Sequence, residues 1–166
     1  MLDALSPFVA WDLSPLEVDG LFFLLGSFVV ATLSDVKHMS AQREFMDVWW
    51  AFAVVLLAIH VWAVDFRPGA PFFAKWGLIV LFALLSHRAI GLWLRLATAD
   101  VAACVAAAAL FPPLLVVLYF VALKLLAWPA ARLLGRGKAA YPFMPVVTVA
   151  TLLVLAFALF VGVVPV

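Results

Sequence analysis

Apolar residues fill this chain in six runs, and each run stops where charge, proline or glycine gathers. The runs cover residues 18–36, 45–64, 73–92, 97–112, 113–134 and 146–165. A helix needs about 20 mostly apolar residues to cross the hydrocarbon core of a bilayer, so runs of this length predict membrane helices and about six crossings. Of the 166 residues 69% are hydrophobic and 11% charged, far from the roughly 45–50% apolar content of soluble domains. The expected fold class is an all-α membrane protein, a polytopic bundle of about six transmembrane helices in a single domain over residues 1–166.

Composition excludes several function classes. With one cysteine, Cys104, there is no intrachain disulfide and no multi-cysteine zinc site. No metal and no cofactor is expected. A formal charge of +1 gives no electrostatic footprint for nucleic acid. Residues 1–17 carry Asp3, Asp12 and Glu17 with no Lys or Arg, the reverse of a secretory signal's basic start. They are expected to form a short extracytoplasmic tail.

Basic residues set the expected orientation, because Lys and Arg accumulate on the cytoplasmic side. Lys37, Arg43, Arg88, Arg95, Arg132, Arg136 and Lys138 follow the first, third and fifth runs, whereas only Arg67 and Lys75 lie on the other side. Seven against two places both termini outside a cytoplasmic membrane. The tryptophans agree in level: Trp49, Trp50, Trp93 and Trp128 fall near inner boundaries, and Trp11, Trp62 and Trp76 near outer ones. Lys124 lies within the fifth run and either snorkels to an interface or lines a polar interior. Pro112 and Pro113 predict a tight hairpin between the fourth and fifth helices.

Two aspartates stand out from this pattern. Asp35 closes the first run in SFVVATLSDVKHMSAQREF, and Asp100 opens the fourth in LATADVAACVAAAALFPP. Each alone can be read as an acid paired with a neighbouring base, Lys37 for Asp35 and Arg95 for Asp100. Together, on different helices at one membrane level, they point to a catalytic pair. Two carboxylates a few ångströms apart share a proton, so one takes a proton from water while the other donates to a scissile carbonyl. Such a site needs close helix packing, and the alanine run from Ala97 to Ala109 supplies small side chains for it. Cys104, one turn beyond Asp100, is expected to pack.

These residues resemble the type IV prepilin peptidases, the GxGD-type membrane aspartic proteases, and most closely the small archaeal preflagellin (archaellin) and prepilin peptidases. Asp35-Val36-Lys37 reproduces the family's D-x-K at the end of helix one. Ala97-Thr98-Ala99-Asp100 stands at its G-x-G-D position, followed by an alanine-rich run ending in Phe-Pro, and Tyr141-Pro142-Phe143-Met144-Pro145 looks like its P-F-x-P approach to the last helix. The resemblance covers residues from about 20 onward. Ala97 and Thr98 replace common glycines, Ala102 replaces a frequent lysine, and HMSAQREFMD replaces a basic loop ending in Pro-Asn.

The resemblance implies cleavage of a short basic leader from pilin-like or archaellin precursors at the cytoplasmic face, with Asp35 and Asp100 catalytic. Lys37, Ala97, Thr98 and Ala99 would surround the pair, and Glu44 and Asp47 would meet the basic leader. The paired cysteines of the larger bacterial methylating relatives are missing, so N-methyltransferase activity is not expected. A non-catalytic membrane assembly factor and a proton-coupled transporter are the competing classes; precursor proteins and lipid are the expected partners.

Overall fold

Ser14 starts the first helix by a reciprocal cap. Its hydroxyl accepts from the Glu17 amide at 3.3 Å, while its own amide and hydroxyl donate to Glu17 Oε2 at 2.9 and 2.7 Å. Pro15 occupies the first helical position, where its missing N–H costs nothing. The computed structural model describes residues 8, 11, 13–38, 43–63, 69–134 and 141–161. Among these it holds six helices: α1 Pro15–His38, α2 Arg43–Ala63, α3 Ala70–Ser86, α4 Thr98–Ala108, α5 Pro113–Leu134 and α6 Met144–Phe160. Helix α1 thus takes in Glu17, which the sequence assigned to the tail.

Three helices, α1, α2 and α5, are long and apolar enough to cross a membrane. Helix α4, expected over 97–112, has only 11 residues and a length of about 16 Å, about half the hydrocarbon thickness. It is short because it is the bundle's centre, wrapped by the other helices. Residues Val101 to Ala108 are all buried, and α1, α2, α3, α5 and α6 all pack against α4. Alanine explains this position, since a helix with methyl side chains on every face lets neighbours approach closely from all directions.

Helix α3 also ends early, at Ser86 instead of residue 92. The following segment folds back on it: the Trp93 amide donates to the Leu85 carbonyl at 2.9 Å and the Leu96 amide to the Ser86 carbonyl at 2.6 Å. Loop residues thereby take carbonyls that a continuing helix would have used. Gly91 (φ 63°) makes the turn, and Arg95 also lies in the left-handed region (φ 59°).

Polar contacts fix the helix pairs. Trp49 Nε1 donates to Ser27 Oγ at 3.0 Å between α2 and α1, and Thr32 and Thr148 hydroxyls meet at 2.8 Å between α1 and α6. Trp11 is buried, with its Nε1 donating to the Leu110 carbonyl at 2.7 Å. Trp11 and Trp49 are both buried among the helices. The outer surface is broadly apolar: Phe22, Leu33, Leu125, Leu133 and Phe160 are all exposed, as a lipid-facing surface requires.

Candidate active site

Asp35 lies in the last turn of α1 and Asp100 in the first turn of α4, 65 residues apart in the chain. The fold brings them within electrostatic reach of each other. Asp35 is 6% exposed, and its Oδ2 accepts a hydrogen bond from the Met144 amide at 3.0 Å. That amide is the first of α6, so the positive end of the helix faces the carboxylate. The Tyr141-Pro142-Phe143-Met144-Pro145 patch now has a physical role: Pro145 favours helix initiation without using the Met144 N–H, which is left to hold Asp35.

Asp100 reaches back to the backbone of Ala97, the N-cap of its own helix. Ala97 has φ −69° and ψ 160°, extended backbone open to any residue. Position 97 therefore does not require glycine. Thr98 is exposed, and its hydroxyl meets His87 Nε2 at 3.4 Å; Ala99 is partly buried. The bland ion pairs are absent: among the described residues neither Asp35 nor Asp100 makes a salt bridge with a base. Lys37 and Arg95 are exposed instead. Glu44 and Asp47 lie exposed in the first turns of α2, on the surface and not within the buried pair.

Two residues belong to this end that the sequence did not assign to the site. Tyr141, between α5 and α6, is shifted above the ordinary phenol range, first by burial and then by the negative charge of Asp100. It stays a neutral hydroxyl beside the pair, with its ring 6.1 Å from that of Phe143. Lys124 is exposed, and its ammonium donates to the Trp93 carbonyl and sits 5.3 Å over the Trp93 ring. Trp93 also donates through Nε1 to the Phe120 carbonyl at 3.4 Å, and its ring lies 5.5 Å from Phe82. The segment that delivers Asp100 is thus pinned to α5.

Behind Asp100, Cys104 is a buried free thiol on the same face of α4 and packs as expected. The Tyr119 hydroxyl lies against Cys104 and Thr151, yet meets neither at hydrogen-bonding geometry. Comparisons with protein-family models, with curated proteins and with solved structures find no match to this chain.

Proposed function

We propose that this chain is a membrane aspartic endopeptidase that removes a short basic leader from pilin-like or archaellin precursors, with Asp35 and Asp100 as its catalytic pair. The observation that carries the reading is that two acids from distant helices lie within electrostatic reach of each other, and among the described residues neither makes a salt bridge. Like charges brought together in a partly buried place cost stability, so their retention needs a function that uses them.

In the proposed reaction a water lies between the carboxylates. One oxygen of Asp35 is taken by the Met144 amide, which leaves the other to remove a proton as the water oxygen attacks the scissile carbonyl carbon. Protonated Asp100 donates to the carbonyl oxygen. As the tetrahedral intermediate collapses, one of its hydroxyls returns a proton to Asp100 while the carbonyl re-forms, the C–N bond breaks, and the proton held by Asp35 passes to the leaving amine. Charges then return to their starting state.

The seven basic residues on one side support a cytoplasmic site in a cell membrane, with both termini outside. A basic leader arriving there would pass the exposed carboxylates of Glu44 and Asp47. The test is co-expression with a precursor carrying such a leader. Asp35→Asn and Asp100→Asn should each abolish processing while leaving folded protein in the membrane; processing at a normal rate by either variant would remove the pair from the mechanism.

A further inference from the structure

At the other end of the bundle, Glu17 of α1, His60 of α2, and Lys75 and Trp76 of α3 come together. Glu17 Oε1 and His60 Nε2 are 2.9 Å apart. Because a carboxylate only accepts, Nε2 carries the proton, and Nδ1 is the acceptor of a neutral ring. Among the described residues that buried Nδ1 has no hydrogen-bond partner, and neither has the buried indole Nε1 of Trp76, whose ring lies 5.9 Å from the His60 ring. Lys75 is electrostatically coupled to both Glu17 and His60, yet among the described residues it makes no salt bridge. Its Nζ lies 5.8 Å over the Trp76 ring.

Trp76 also lines a groove of about 290 Å³ between α2 and α3, floored by Val105 of α4. The groove wall is apolar and opens outward along Val54, Leu57, Val80 and Leu84. From Trp76 to Leu84 it runs about 12 Å along α3. Trp76 joins this apolar groove to the polar cluster, since its ring lines the groove and lies beside the His60 ring and the Lys75 ammonium; an apolar groove next to an ammonium, an indole N–H and an imidazole nitrogen has the polarity of an amphiphile.

We propose that this groove binds one anionic phospholipid whose head group bears a hydroxyl. One acyl chain lies between α2 and α3. Phosphate oxygens accept from Lys75 and the Trp76 N–H, and the head-group hydroxyl donates to His60 Nδ1. Glu17 holds the imidazole in the tautomer that can accept it. Trp76 and Lys75 also fall at the outer boundary that the sequence pattern predicts, where such side chains meet head groups. The proposal is independent of the peptidase reading, because its residues lie at the opposite helix ends.

The test is native mass spectrometry of the purified chain in neutral detergent, titrated with phosphatidylglycerol, phosphatidylcholine or inorganic phosphate. One phosphatidylglycerol should bind, at least tenfold more tightly than phosphatidylcholine. Lys75→Met and Trp76→Phe should each weaken it about tenfold, the cost of one charge-assisted or buried hydrogen bond. Val80→Trp, which fills the groove from its exposed wall, should remove it while helicity is kept. Equal binding of the two lipids, full competition by inorganic phosphate, or unchanged affinity in Trp76→Phe and Val80→Trp would overturn the proposal.

Discussion

At one end of the bundle Asp35 and Asp100 lie within electrostatic reach of each other, neither in a salt bridge among the described residues; at the other, Glu17 is bonded to His60 and coupled to Lys75. Both groups join residues far apart in the chain. In the second, opposite charge and a helix cap satisfy the acid, so Glu17 contributes to holding α1 on α2. In the first, the donors to the acids among the described residues are backbone groups, and the acids repel each other. Charges that stabilise a fold need no activity to explain them, whereas a like-charged pair does.

The comparison predicts that substitutions at the two ends separate activity from stability. Asparagine at Asp35 or Asp100 should lower precursor cleavage by about 10²- to 10⁴-fold, the scale of general acid–base catalysis. Thermal stability in detergent should be unchanged or higher, because the repulsion is gone. At the other end Glu17→Gln removes a charged partner of His60 and weakens the Ser14 cap. It should cost about 2 kcal/mol in denaturant unfolding and leave cleavage at the wild-type rate.

Smaller effects sharpen the picture. Lys124→Met frees the Trp93 carbonyl and loosens the segment before Asp100; cleavage should fall about tenfold, as expected for a misplaced catalytic group, with partial recovery in Lys124→Arg. Tyr141→Phe should change the rate by only a few-fold. Its clearer signature is at high pH. The folded value of Tyr141 is raised above that of the unfolded chain, so the neutral phenol contributes stability below about pH 10 that is lost as pH rises further. The midpoint of thermal unfolding should therefore fall less steeply above pH 10 in Tyr141→Phe than in the wild type.

Much of this was legible in residue order. Asp35 and Asp100 are conspicuous because acids are rare beside apolar runs, and the alanine run marks a close-packed helix. The tail assignment passed over the Ser14-Pro15-Leu16-Glu17 cap, which places Glu17 in α1. The end of α3 was not. His87 and Arg88 interrupt the apolar pattern without terminating a helix on their own, and what stops it is the return of Trp93 and Leu96 to the Leu85 and Ser86 carbonyls. Burial of Trp11 was hidden for the same reason: its partner, the Leu110 carbonyl, is 99 residues away. Tyr141 entered the sequence reading only as part of a helix approach, since nothing local shows that α4 brings Asp100 beside it.

The most direct measurement is the cleavage rate of one basic-leader precursor by purified wild type, Asp35→Asn, Asp100→Asn and the double variant. If the two carboxylates act as one unit, both single variants and the double should fall to the same residual rate, because removing either member already disables the pair. Two partial, multiplicative losses, or full activity in either single variant, would show that Asp35 and Asp100 do not form a catalytic pair.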